Sequence, residues 1–300
     1  MSEKFLLYKI SDRFICCEAG YNDSGIVLFG APFDGTASYK PGARFAGACV
    51  RGASGSIETY SPYLDMDLLD PDVAVYDAGD LELPFGAAGR AIDIIRNHVS
   101  AILEASKIPF MVGGEHLVTL GAVQAAAAKY PELSIIQFDA HADLRDSYIG
   151  EKLSHAAVMR RCHDITGDGR IYQFGVRSGE REEFDFAKTH TRLQRFNFDG
   201  LAETLTSPGL DKKPVYLTID LDVLDPSEMP GTGTPEAGGV RFMELLEAAN
   251  AVISSARVVG LDVTELCPPA DPGGISVSLT CKLIRELLLL ISRAAAQRGK

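Results

Sequence analysis

Basic charge is scarce in this chain. Twenty-nine Lys and Arg stand against 41 Asp and Glu, a net charge of −12. Sequence-independent nucleic-acid binding needs a basic surface to neutralise phosphates, so the balance argues against that class. Long apolar runs are also missing. The longest near the C-terminus, Leu287 to Ile291, is far short of the ~20 residues that cross a bilayer. Lys4 and Lys9 interrupt the apolar N-terminus, which argues against a signal peptide. The six cysteines show no Cys-x-x-Cys spacing: Cys16 and Cys17 are adjacent, and Cys49, Cys162, Cys267 and Cys281 are scattered. Reduced thiols in a cytoplasmic protein are expected. No low-complexity linker, internal repeat or shift in composition divides the chain, so one domain spanning residues 1–300 is the simplest organisation.

What is present is a globular composition, 46% hydrophobic and 23% charged, enough for a sizeable core. The acidic balance suits a cationic substrate, though it speaks mainly to solubility. Strand-like runs alternate with helical ones. Ile26–Gly30, Val73–Tyr76, Pro109–Val112, Ser134–Phe138, Ile171–Gly175, a weaker run at Leu193–Phe196, Val215–Ile219 and Val258–Leu261 read as strands. Helices are expected from the Lys40–Arg44 loop to about Ser56, over Ala87–Ser106 and Leu117–Lys129, from Ser154 (a plausible N-cap), and over Glu180–Lys188, Arg241–Ser254 and Val277–Ala295. Such alternation predicts an α/β fold, a mostly parallel sheet with helices on both faces.

Chemistry concentrates where strands end. Ser134–Phe138 runs into Asp139-Ala140-His141-Ala142-Asp143, with three ligand-type side chains at alternate positions. In extended chain these point the same way and can converge. Val215–Ile219 runs into Asp220-Leu221-Asp222, and Pro109–Val112 into Gly113-Gly114-Glu115-His116, where the glycines permit a tight turn through positive φ. Ligands of open α/β sheets bind outside the carboxyl ends of strands. His116, Asp139, His141, Asp143, Asp220 and Asp222 are therefore candidate metal ligands. Four aspartates packed without metal would repel one another toward protonation, whereas two divalent cations balance them. The oxygen-rich donor set suits manganese better than a sulfur-seeking ion, with zinc, cobalt and iron still open. Such a pair, ~3.5–4 Å apart, can lower the pKa of a shared water toward ~7. The chemistry expected is metal-assisted hydrolysis of a planar, electrophilic carbon.

Elsewhere, Asp34 and Arg44 read as an ion pair bracing a loop, ahead of a role in contacting substrate. Asp77 and Asp80 read as turn residues or rim acids. His98, His163 and His190 read as packing or surface residues. The Pro- and Gly-rich loop Leu224–Gly239 is long enough to shape a pocket.

His116 within GGEH, then DAHAD, then TIDLDVLDPSEMPGTGTPEAGG, resemble the ureohydrolase family of arginases, agmatinases and their relatives. The resemblance runs from about Ile26 to the final helix. It implies a three-layer α/β/α fold around an eight-stranded sheet, two Mn²⁺ ions, and release of urea from a small cationic guanidino substrate by a metal-bridging hydroxide. It implies that His116 and Asp143 hold one ion, His141 and Asp222 the other, and that Asp139 and Asp220 bridge both. Glu265 matches the glutamate that grips the guanidinium, and His155 the histidine that shuttles protons. Asp143 would pass a proton to the leaving amine. Homo-oligomers, trimers or hexamers, are implied; a nucleic-acid or membrane partner is not.

Arginases carry an asparagine two residues beyond the Asp143 position, where this chain has Arg145. The loops PFDGTASYKPGAR, DAHADLRD…SHAAVMRR and GVRSGEREE are similar to those of agmatinases, although Ala156-Ala157 departs from their pattern. Agmatine hydrolysis to putrescine and urea is the expected activity. Alternatively Arg145 binds the carboxylate of 4-guanidinobutyrate or formimidoylglutamate; arginine is a further alternative, weakened by Arg145 in the asparagine's place. A mononuclear-zinc deacetylase-like amidohydrolase is disfavoured by the extra ligands His116 and Asp143. A non-catalytic scaffold is disfavoured by the complete ligand set.

Overall fold

The apolar runs become the strands of one sheet. The computed structural model describes residues 13–207, 210 and 213–298. The strands are β1 Ile26–Ala31, β2 Val75–Asp80, β3 Ile108–Gly113, β4 Ser134–Phe138, β5 Ile171–Val176, β6 Arg192–Arg195, β7 Pro214–Asp220 and β8 Arg257–Thr264. Their order across the sheet is β2-β1-β3-β8-β7-β4-β5-β6, and every pairing is parallel.

Parallel strands need crossover connections, which cover both faces of a sheet with helices. The helices are α1 Ala46–Ser54, α2 Ala88–Glu104, α3 Thr119–Lys129, α4 Val158–Thr166, α5 Arg181–His190, α6 Leu201–Leu205, α7 Phe242–Ser255 and α8 Ile275–Arg298. Because side chains alternate along a strand, the core divides in two. Leu28, Phe110, Ile136 and Leu217 pack with α1, α7 and α8 on one face. Val27, Met111, Ile135 and Tyr216 pack with α2, α3 and α4 on the other. The three layers follow. On α2 the buried residues Ile92, Ile95, Val99, Ile102 and Leu103 recur at helical spacing. Each such side chain contributes roughly 1.5–3 kcal/mol when fully buried. Among the described residues no helix is long and apolar enough to cross a membrane.

Some boundaries differ from the sequence reading. The first helix begins only at Ala46, after a 3₁₀ turn at Ala43–Phe45. A short hairpin pairs Tyr60–Ser61 with Met66–Asp67. Asp77 and Asp80 belong to neither a turn nor the site rim; they continue edge strand β2. Buried Arg51 of α1 makes this possible: its Nε donates to Asp77 Oδ2 at 2.8 Å, and its Nη1 pairs with Asp80. Asp34 and Arg44 do form the loop-bracing ion pair, and Asp34 Oδ2 also accepts the Gly42 N–H at 2.7 Å. Lys4 and Lys9 lie outside the described residues.

Four adjacent strands, β3, β8, β7 and β4, occupy the middle of the sheet. Their carboxyl ends deliver His116, Glu265, Asp220 with Asp222, and Asp139. Sheet order thus brings together residues up to 149 positions apart.

Candidate active site

Five of the six predicted ligands meet in two overlapping groups: His116, Asp139 and Asp143, and Asp139, His141 and Asp222. Asp220 completes the first. His116 Nδ1 stands 2.9 Å from Asp139 Oδ2, 3.1 Å from Asp143 Oδ2 and 3.4 Å from Asp220 Oδ2. His141 Nδ1 stands 2.9 Å from Asp222 Oδ2 and 3.7 Å from Asp139 Oδ1. Asp139 therefore faces both histidines with different oxygens.

The backbone that places them departs from the sequence reading. Asp139, His141 and Asp143 do not converge on one point. Asp143 has φ +53°, a left-handed conformation uncommon for a non-glycine residue, and it turns toward His116 while His141 turns toward Asp222. The Asp143 conformation is held by its carbonyl, which accepts the Met159 and Arg160 N–H groups at the start of α4. Gly113 and Gly114 are needed for space and not for positive φ. A Cβ on Gly114 would lie 1.8 Å from the Phe33 carbonyl oxygen, and one on Gly113 2.7 Å from Thr264 Cγ2. Ser154 sits at its expected N-cap position, but its hydroxyl makes no capping bond.

The donor set fits divalent cations. His116 Nε2 lies 2.8 Å from Thr218 Oγ1, and that hydroxyl donates to Asp262 Oδ1 at 2.6 Å. With the Thr218 hydrogen committed to Asp262, Nε2–H is the donor, and Nδ1 faces three carboxylates. Such an outer partner fixes the tautomer of a metal-binding histidine. His116 Nδ1 and Asp222 Oδ2 are buried without a hydrogen-bond partner, as expected of atoms aimed at an ion.

Electrostatics agree. Burial, then repulsion from Asp143 and Asp222, raises Asp139 to about 7. Burial, Asp222 and Asp139 push Asp220 well above the usual carboxylate range. Burial alone would lower His116 and His141. The surrounding carboxylates override it, raising His116 well above its ordinary value and His141 to about 11. Burial would raise Asp222, but the His141 imidazole holds it below its ordinary value. The protein alone thus gathers protons where a metal would supply the positive charge.

Above these groups lies a cavity of about 240 Å³, lined also by Glu265, His155, Arg145 and Tyr148. Glu265, at φ +64°, accepts the His116 N–H on Oε1 at 2.7 Å. Burial and then neighbouring Glu115 raise its carboxyl to about 8. His155 Nε2 lies 3.3 Å from Ser38 Oγ and its Nδ1 3.4 Å from Thr36 Oγ1; burial lowers its pKa. Arg145 Nη1 lies 3.1 Å from Glu180 Oε1, its Nε 3.4 Å from Glu183 Oε2, and its guanidinium 4.7 Å from the Tyr148 ring centroid.

Sequence reasoning missed several contributors. Glu115, inside the GGEH motif, is fully buried and accepts the Thr36 Oγ1–H at 2.6 Å. Thr36 Oγ1 in turn accepts the His155 N–H at 3.1 Å. Glu236 lies 3.7 Å from His141 Nε2. Arg177 donates to the carbonyls of Asp222 (2.6 Å) and Glu236 (2.9 Å). Each carried a signal in its place within a motif: Glu115 in GGEH, Arg177 in GVRSGEREE and Glu236 in TPEAGG. His98 packs edge-on against Phe29, as expected of a packing residue, and His163 and His190 lie outside the pocket lining.

Comparison with known proteins agrees with this geometry. Residues 24–290 match the model of the Arginase family. An agmatinase of Bacillus anthracis is 46% identical over 280 residues, 92% of this chain and 95% of its own. An N(1)-aminopropylagmatine ureohydrolase of Thermococcus kodakarensis is 41% identical, covering 80% of this chain and 82% of its own. The crystal structure of the agmatine ureohydrolase of Thermoplasma volcanium superposes with a TM-score of 0.84 at 34% identity, covering 98% of this chain and 97% of that one. The chain therefore belongs to the arginase family, as a ureohydrolase of the agmatinase type.

Proposed function

We propose that the chain hydrolyses agmatine to putrescine and urea, acting as one domain over residues 1–300. His116, Asp139, His141, Asp143, Asp220 and Asp222 would hold two divalent ions, manganese being the metal that the oxygen-rich set suits. Bound there, such ions supply Lewis acidity, which brings water within reach of ionisation near neutral pH. The chain's own groups do the rest. Glu265, whose raised carboxyl would give up its proton beside the bound cation, grips the guanidinium. Water adds to its central carbon. Asp143 takes the proton that the water gives up and passes it to the leaving amine, whose bond to carbon breaks to give putrescine and urea, and His155 exchanges protons with solvent. A cytoplasmic homo-oligomer, trimer or hexamer, fits the family resemblance.

The observation that carries the substrate assignment is the pairing of Arg145 with Glu180 and Glu183. Its charge is spent on two glutamates, so it is poorly placed to receive a substrate carboxylate. Beyond His141, Glu236, 3.7 Å from its Nε2, is the carboxylate left to meet a distal ammonium. The test is product release from the manganese-loaded protein given agmatine, arginine, 4-guanidinobutyrate and formimidoylglutamate, scoring urea for the first three and formamide for the last. Agmatine should lead by at least tenfold in kcat/KM. Preference for a carboxylate-bearing substrate would overturn the assignment.

A further inference from the structure

A second group of metal-type ligands lies outside the pocket lining. His163 is in the last turn of α4, and His190 is the last residue of α5. Asp168 stands on the loop between α4 and β5. His163 Nε2 is 2.8 Å and His190 Nδ1 2.6 Å from the same oxygen, Asp168 Oδ1. The three ligand atoms all lie within 4.8 Å of one another.

The group is built and not accidental. Asp168 is flanked by Gly167 and Gly169, at φ +80° and +70°, a conformation that favours glycine. The N–H of Gly167 donates to the His163 carbonyl at 2.8 Å, and that of Gly169 to the His190 carbonyl at 2.9 Å. The two residues beside the carboxylate are thus tied to the backbones of the two histidines it faces. Phe186 fixes the rings: His190 stacks on it at 4.1 Å between centroids and 24° between planes, and His163 meets it edge-on at 5.0 Å. Asp168 remains 67% exposed in its side chain, leaving room for water on the solvent side.

Imidazole donors favour zinc, copper and nickel, whereas the pocket's oxygen-rich set suits manganese. We propose that His163, Asp168 and His190 form a separate cation site that takes a borderline divalent transition ion of the zinc type, with water filling its open positions. Bound there, the ion would clip the ends of α4 and α5 to the loop that carries Asp168. Its occupancy is independent of the substrate proposed above.

The test is a zinc count per chain after equilibrium dialysis at one fixed micromolar free zinc, on the full-length protein already saturated with manganese. Wild type should hold one zinc more than either D168N or H190Q. D168N preserves shape and changes an exposed residue, which guards against loss of the fold. Zinc should also raise the Tm of wild type further than that of either variant, and manganese-dependent urea release should be unchanged in both. Equal zinc counts and equal Tm shifts in wild type and folded D168N would overturn the proposal and leave Asp168 as a hydrogen-bond acceptor for two imidazoles.

Discussion

Thr218 Oγ1 stands 2.8 Å from His116 Nε2 and donates onward to Asp262 Oδ1 at 2.6 Å. This chain fixes which ring nitrogen is free to meet a metal. T218V keeps the volume but removes the partner of Nε2–H. Metal affinity should fall ~10–100-fold, the usual cost of losing an outer partner of a ligand histidine. Manganese titration of T218V against wild type checks it; unchanged affinity would detach Thr218 from the metal centre.

Arg145 is argued to be a loop residue whose charge is consumed by Glu180 and Glu183. R145A should change kcat/KM for agmatine by less than about tenfold, or about 1.4 kcal/mol. E180Q, which loosens that pairing, should raise activity toward 4-guanidinobutyrate relative to agmatine. Steady-state kinetics with both substrates decide the matter.

Asp139 and Asp220 face both halves of the site or its deeper half. D139A and D220A should each retain at most one tightly bound ion and lose on the order of 10³-fold in kcat, about 4 kcal/mol of barrier. Metal analysis and urea release on the same sample measure both effects. Two bound ions with full activity in either variant would remove it from the ligand set.

The pH dependence follows from the raised values. Asp139 keeps a proton in the fold up to about 7, against an ordinary 3.8, and His141 keeps one up to about 11, against 6.5. In both cases the folded state binds protons that the unfolded chain has released. Metal-free stability should therefore fall as pH rises from about 4 through 7 for Asp139, and onward from about 6.5 for His141. Metal must displace the same protons, so its affinity should rise over the neutral range. Thermal unfolding at pH 5 to 9, with and without manganese, should show a Tm that declines for the free protein and a stabilisation by metal that grows with pH.

The parts legible in the sequence share one physical cause. Ser134–Phe138 and Val215–Ile219 are buried throughout, so they read as mostly apolar runs, and the carboxylates that end them stand out. The parts not legible depend on distant partners. Asp77 and Asp80 look like turn residues until Arg51, 26 positions away from Asp77, is seen to neutralise them. Glu115 is explained by Thr36, 79 positions away, and Arg177 by carbonyls 45 to 59 positions away. The left-handed turn at Asp143 has no local signature, since its carbonyl is held by Met159 and Arg160 of the next helix.

The most direct measurement is a manganese titration of the metal-free protein that reads bound metal and urea release from agmatine together. The account predicts two bound ions per chain, with turnover appearing as the second is taken up. Full turnover at one ion, or two bound ions with no turnover of agmatine, would contradict it.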